Sequence, residues 1–540
     1  MFRFYDDELH NLILVAHRDL KEIIYYTANY DYHPPLQYLL NKISLELFGL
    51  NEFLLKLPSI ILIILSVILC SHLVFKITGS VKLSLLCGLI TITNPLILLW
   101  GTSIRWYPLW TFLTMLSLYS TITLFTISKK TKRIRSQLLL FITVVLALYT
   151  NYQTIILIMT LLLSAFFLDL KEKDKRYDHL KSIFPVIIGV VILFIPYMNT
   201  FLHHLGTFIQ QKQIHFGFTG SSPILSGAYF IFSVLFGNSI YPWEVSFIIL
   251  ISIIVVASLF LLLLSKLRIS DKSENGIKAF FQQDKKKEIF LLMMFTIILF
   301  ILFLVTSIIS GSLQARGYLI IPLLLIAISI IGFNHFRKER NRKFYNLITL
   351  IVFSFLVIWM IGSYNVIIKK DLHKASLMDP IGEAIDYIYN SARTEGKNYL
   401  IFTYDPVLTY YLINSELFEE VAIFSPYKDE TTALINSFSE SMDNSPIYLS
   451  TSTKILFIES YPGSLMPAIR KLENFKQYLF KESVQNEKPK KIGFDTNAEI
   501  KRKFFPSAGM IDWRYIIYSL DSKAKLDAEI LTSFDSLKVY

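Results

Sequence analysis

Ionisable residues are scarce in the apolar part of this chain, and several of them fall in patterns that suit chemistry. Asp6-Asp7-Glu8 sets three carboxylates in a row near the start. A carboxylate beside an apolar surface can take a proton from a hydroxyl or ligate a metal ion. The bland alternative is a solvated N-terminal loop. His33, followed by Pro34-Pro35, can orient a carboxylate or a phosphate; otherwise it is an exposed ring at a helix start. Lys56, Arg105, Lys212 and Arg316 supply cations, and Tyr107 and Tyr318 stand two residues after the arginines. The planar fork of Arg suits phosphate, although a lone Arg near lipid also snorkels to headgroups. His203, His204 and His215 share the run 203–224 with Lys212. That run can cover a substrate, but adjacent histidines are not by themselves a metal spacing.

The elements that must carry these residues follow from composition. The chain has 540 residues, 53% hydrophobic and 18% charged, with a mean hydropathy of +0.48. Soluble domains carry about 25% charged residues. A disordered chain, a coiled coil and an ordinary cytosolic enzyme are excluded. The 15% aromatic content suits a membrane protein with ring belts at the interfaces. Cys70 and Cys87 lie in apolar runs and give neither a disulfide framework nor a zinc spacing. There is no GxGxxG and no P-loop, so no nucleotide site is implied. Nothing points to nucleic acid.

A bilayer core takes about 20 apolar residues per helix. Ten spans are predicted: 52–75, 83–100, 107–127, 137–151, 153–170, 182–202, 243–265, 288–310, 317–334 and 344–367. The runs 128–136, 171–181, 266–287 and 335–343 hold 22 Lys and Arg, whereas the alternate loops hold Arg105, Lys212 and Arg316 only. Basic loops stay cytoplasmic. All the candidate cations then share the outer face, and the apolar stretch 225–237 must lie on or dip into that face without crossing.

The same count puts residues 1–51 and the tail from 368 outside. A start such as MFRFYDDE needs an apolar segment to translocate it, so an upstream helix is expected in the reading frame. Residues 8–24 read as one amphipathic helix suited to the interface. Beyond 368, strand-length runs alternate with helical ones. The strands are NYLIFTY, EVAIF, KILFIES and RYIIYSL. The helices are 380–394, one opened by Asp405-Pro406, 428–440 and 463–480. KSENG and QNEKPKK read as loops. The predicted organisation is an outer-face segment (1–51), a transmembrane bundle (52–367) and an extracytoplasmic α/β domain (368–540).

Taken in order, the acidic pair, the amphipathic helix, HPPLxYLL, LFG and Lys56-Leu57-Pro58-Ser59 resemble the membrane glycosyltransferases of the GT-C class. The branch is that of the dolichyl-phosphate-mannose-protein mannosyltransferases and the bacterial aminoarabinose transferases. Arg105-Trp106-Tyr107 and Ala315-Arg316-Gly317-Tyr318 are similar to later motifs of that family. The likeness covers about 1–370, and more loosely the tail. It implies a polyprenyl-phosphate sugar as donor and a lipid, glycan or protein acceptor outside an inner or plasma membrane.

The resemblance also implies site residues. Asp7 matches the family's acidic residue, as base or metal-proximal acid, with Glu8 its partner. His33, Lys56, Arg105, Tyr107, Arg316 and Tyr318 lie in its motifs and would bind substrate, joined by Lys212, which the charge pattern alone places on the outer face. A divalent cation (Mg, Mn or Zn) can assist; its ligands are left open, with Asp7 and Glu8 the candidates. The chain departs from the family in lacking the helix before the acidic pair and in having Lys at 56 where relatives often have Arg. A polysaccharide polymerase or ligase would carry a large outer loop in mid-chain, and a lipid-sugar transporter would carry charges at mid-membrane.

Overall fold

The computed structural model describes residues 6–31, 33–127, 130–172, 177–215, 223–236, 286–310, 315–338 and 356–364. In the C-terminal part it describes 381–395, 399–403, 405–413, 421–425, 454–460, 477, 479–481, 483–485, 488–492 and 515–522. The helices in chain order are α1 (Asp6–Ala16), α2 (Leu20–Asn29), α3 (Leu36–Phe48), α4 (Glu52–Thr78), α5 (Val81–Ile92), α6 (Pro95–Trp100) and α7 (Trp106–Thr126). There follow α8 (Lys130–Leu148), α9 (Thr154–Lys171), α10 (Asp178–Phe194), α11 (Met198–His215), α12 (Pro223–Phe236), α13 (Lys286–Ser310) and α14 (Ile320–Lys338). The C-terminal helices are α15 (Ile381–Glu395) and α16 (Pro406–Ile413). The chain divides into two compact units: 1–23, 38–55 and 374–540 form the first, and 24–37 and 56–373 the second.

Among the described residues five helices are long and apolar enough to cross a membrane: Glu52–Thr78, Trp106–Thr126, Thr154–Lys171, Asp178–Gly206 and Lys287–Thr306. The chain is a multi-pass membrane protein. Leu and Ile side chains such as Ile61, Ile68, Ile188 and Ile192 stand exposed on these helices, as lipid-facing positions must. The inward faces carry small hydroxyl residues. Ser117 of α7 donates to its own Leu113 carbonyl at 2.8 Å, and its oxygen lies 2.9 Å from the Thr143 hydroxyl of α8.

Helix ends follow local chemistry. Gly49 (φ +59°) and Gly79 (φ +71°) close α3 and α4 in the left-handed region, which only Gly enters without strain. Several expectations are corrected by such ends. The helix expected over 8–24 is two helices. Asp19 and Glu22 form a capping box, with the Glu22 N–H donating to Asp19 Oδ1 at 2.8 Å and the Asp19 N–H to Glu22 Oε2 at 2.9 Å. The span expected over 83–100 breaks between α5 and α6. Asn94 there accepts from the Leu96 and Ile97 amides at 3.0 and 3.2 Å, and Pro95 opens the new helix. The 182–202 span, by contrast, is present within the continuous helix Asp178–Gly206, which tightens to a 3-10 turn, Ile195–Tyr197, at Pro196. Helix α8 starts at Lys130 inside the basic run, seven residues before the expected 137. The described residues of α12, Pro223–Phe236, cover about 21 Å at 1.5 Å per residue. The span 243–265 lies outside the described residues, as does 344–367 except for the helical stretch 356–364.

Loops sort by charge. At one end of the second unit His179 packs on Phe125 with ring centroids 4.8 Å apart, Arg133 donates to Ser182, and Lys287 pairs with Glu172 at 2.7 Å. The buried Asp169 closes this end: it accepts from the amides of His179 and Leu180, each at 3.0 Å, and meets His179 Nδ1 at 2.7 Å. The basic runs 128–136 and 171–181 therefore share one end. The loops at 101–105 and 149–153 share the other.

Among the described residues of the first unit six strands form one mixed sheet: β1 (Tyr399–Thr403), β2 (Val421–Phe424), β3 (Lys454–Ser460), β4 (Ser483–Gln485), β5 (Lys490–Ile492) and β6 (Tyr515–Ser522). The order is β2-β1-β3-β6-β4, with β5 also on β6. β1 pairs in parallel with β2 and β3, and β6 runs antiparallel. Leu400, Ile401, Phe402, Ile455, Leu456 and Phe457 are fully or nearly fully buried, as a strand covered on both faces requires. The four expected strands and the helix at 380–394 are present. QNEKPKK is not all loop, because Gln485 ends β4 and Lys490 begins β5 behind Pro489. The helix expected at 428–440, and most of that at 463–480, lie outside the described residues. The buried Asp405 caps α16 by accepting from the Val407 and Leu408 amides at 2.9 Å each, a contribution of about 1 kcal/mol. Helix α1 packs on α16, and Tyr411 donates to Glu52. Burial first, then the charge of Glu52, push the Tyr410 hydroxyl above its ordinary value.

Candidate functional site

In the second unit the HPPL segment is fastened to two loops at the neutral end. The Leu36 amide donates to the Tyr149 carbonyl at 3.0 Å, and Gln37 Nε2 donates to the Ile104 carbonyl at 3.1 Å. Pro34 and Pro35 are buried. These bonds bring His33 to the start of α7, where its ring lies 6.5 Å from that of Trp106. Arg105 is the N-cap of α7 and is 9% exposed. An Arg side chain has no acceptor for the first-turn amides. The positive end of the helix and the guanidinium therefore add at one place, which favours an anion.

The late Arg-x-Tyr motif comes to the same place. It forms a 3-10 turn, Ala315–Tyr318. At Gly317 the turn passes so close to α7 that a Cβ would lie 3.0 Å from Trp106 and 3.2 Å from Gln153. Tyr318 is buried, its ring 4.7 Å from Phe303 and 4.9 Å from Phe230. Tyr107 is buried against Trp106 (4.5 Å) and Trp100 (5.9 Å). Trp110 Nε1 donates to Thr154 at 2.9 Å, tying α7 to α9 one turn below. An aromatic wall thus runs from His33 into the apolar bundle.

The structure sets His33 and Tyr107 beside Trp106, next to Arg105 in the chain, and brings the turn that precedes Tyr318 to the same ring at Gly317. Lys56 is buried on α4. Lys212 is on α11 and Arg316 in the 3-10 turn; their side chains lie outside the described residues. Asp7 and Glu8 are residues of α1 in the first unit. Glu8 is fully buried, and the Asp7 side chain lies outside the described residues.

Other contributors carry no motif. Tyr152 Oη is 2.7 Å from His204 Nδ1, and His204 Nε2 is 3.1 Å from the Ala28 carbonyl. A carbonyl only accepts, so Nε2 bears the hydrogen and a neutral His204 receives the Tyr152 hydroxyl at Nδ1. Burial is the largest cause that pushes the Tyr152 hydroxyl above its ordinary value, followed by Tyr197. These bonds hold the end of α2, and so the approach to His33, on the bundle. Among the described residues no group of three His, Cys, Asp or Glu side chains is close enough to hold a metal ion.

The dolichyl-phosphate-mannose-protein mannosyltransferase family matches residues 32–200. The match covers 169 of the 540 residues. The matched stretch begins one residue before His33 and includes Lys56, Arg105 and Tyr107. Two solved structures of ArnT from Cupriavidus metallidurans are similar over 96% of this chain and 94% of theirs, each at 11% identity. They are the apo state (TM-score 0.42) and the form bound to undecaprenyl phosphate (TM-score 0.43). No curated protein sequence matches.

Gly317, where the late turn meets the matched segment, gives a direct test. Gly317→Ala forces Trp106 or Gln153 to yield by a few tenths of an ångström. Such a small-to-large change costs about 1–3 kcal/mol. Displaced positioning groups also slow chemistry, here by about tenfold in sugar transfer. Transfer by membranes of the variant, normalised to folded protein, checks this, and a wild-type rate would show that the turn does not set the site.

Proposed function

We propose that the protein transfers a sugar from a polyprenyl-phosphate donor to an acceptor hydroxyl on the outer face of the membrane. The observation that carries this reading is the convergence of His33, Arg105 and the Ala315–Tyr318 turn on Trp106, at the neutral end of the bundle, in and beside the segment that matches the transferase family. Cations at a helix mouth suit a phosphate that leaves with growing negative charge. The apolar wall below them suits the lipid tail.

In this mechanism Asp7 takes the proton of the acceptor hydroxyl. The oxygen attacks C1 of the sugar from the face opposite the phosphate. The new C–O bond forms as the C1–phosphate bond breaks, and its electron pair leaves with polyprenyl phosphate. The anomeric configuration inverts. Arg105 and Arg316, with Lys56 and Lys212, neutralise the departing phosphate, and His33 orients it.

The experiment uses the full chain in vesicles with radiolabelled polyprenyl-phosphate mannose, glucose or aminoarabinose. Release of polyprenyl phosphate coupled to label on an acceptor supports the reading. Movement of the intact lipid-linked sugar between leaflets without cleavage contradicts it and favours a transporter.

A further inference from the structure

The residue that holds His33 in place is not part of the HPPL motif. Asp31 Oδ1 accepts from the His33 backbone N–H at 3.0 Å and lies 3.0 Å from His33 Nδ1. One carboxylate oxygen thus fixes both the turn and the ring. The Asp31 side chain is 13% exposed and that of His33 is 31% exposed. A carboxylate only accepts, so Nδ1 bears a hydrogen and turns inward. The other ring nitrogen, Nε2, is the one left to meet a ligand. The ring cannot swing far: Trp106 stands 6.5 Å away, and Pro34-Pro35 and the bonds of Leu36 and Gln37 fix the backbone beyond.

We propose that Asp31 is a positioning residue: it holds the His33 imidazole by Nδ1 so that Nε2 donates to the phosphate of a polyprenyl carrier beside Arg105. This rests on the transferase reading and names the residue that prepares its phosphate site. When both ring nitrogens donate, the imidazole carries a positive charge. Asp31 balances that charge in a half-buried place where an unbalanced one is costly. Asn at 31 keeps an acceptor oxygen for the turn and the ring but removes the balancing charge. It therefore separates this role from a merely structural one.

The test measures binding of undecaprenyl phosphate to the full chain in lipid nanodiscs, with sugar transfer as a second readout. Asp31→Asn is expected to weaken binding about tenfold, as loss of one charge-assisted hydrogen bond does. His33→Gln is expected to weaken it similarly. The double variant is expected to be no weaker than either, because both changes remove one interaction. Thermal unfolding of Asp31→Asn stays at the wild-type temperature. Wild-type affinity in Asp31→Asn, or losses that multiply in the double variant, overturns the proposal. Inorganic phosphate bound as tightly as the lipid overturns the assignment to a lipid-borne phosphate. A chain that binds the lipid but transfers no sugar defeats the transferase reading alone, and the binding cycle then still decides the role of Asp31.

Discussion

Asp7→Asn in the full chain should lower sugar transfer by about 10²- to 10⁴-fold, the range for loss of a general base, while binding of polyprenyl phosphate stays near wild type. The substitution is isosteric and removes only the capacity to take a proton. The neighbours differ in their ability to compensate. Glu8 is fully buried and already engaged, so it is poorly placed to substitute. Asp6 is the one adjacent acid that can slip into the role, and Asp6→Asn serves as the control. The proposal expects Asp6→Asn to retain most transfer. If Asp7→Asn transfers sugar at the wild-type rate, Asp7 is not the base. If Asp6→Asn is the inactive one, the register of the triplet moves by one residue.

Arg105→Ala should cost about 10²- to 10³-fold in transfer, the loss seen when one preorganised donor to developing charge is removed. Arg105 is nearly buried at the N-cap of α7. Its charge acts where solvent screens little, and the helix end adds to it. Arg105→Lys should recover only part of the loss, because a point charge replaces a planar fork. The expected split is a larger fall in kcat than rise in donor KM, since the phosphate gains charge as it leaves. Rates equal to wild type in Arg105→Ala would reduce this residue to a headgroup contact.

Much of the frame was legible in the residues. Apolar runs of bilayer length placed α4, α7, α9 and α13, because helix length is set by the hydrocarbon core. Asp405-Pro406 announced α16, since an Asp cap followed by Pro is a local device. HPPL and the first Arg-x-Tyr motif identify His33 and Tyr107, whose rings the fold sets beside Trp106, and the late motif marks the turn that passes the same ring at Gly317. Two helix breaks have local signatures: Asp19-Leu20-Lys21-Glu22 is a capping box, and Asn94-Pro95 is a cap with its helix start. Hydrophobic periodicity runs through both breaks and hides them.

The remainder was invisible for a different reason. Gln37 reaches Ile104 across 67 residues, Tyr152 reaches His204 across 52, and His204 reaches Ala28 across 176. No local pattern records such pairs. Gly317 looked like an ordinary turn residue, and only the approach of Trp106 and Gln153 explains it. Asp31 was visible two residues before His33, yet its hold on the ring depends on a turn that the buried prolines set.

The most direct test of the account is photocrosslinking of the full chain with a polyprenyl phosphate that carries a photoactivatable group next to its phosphate. The account predicts labelled peptides from 31–37, 103–107 and 315–318. Labelling confined to 130–136 and 171–181, at the basic end of the same bundle, would contradict it.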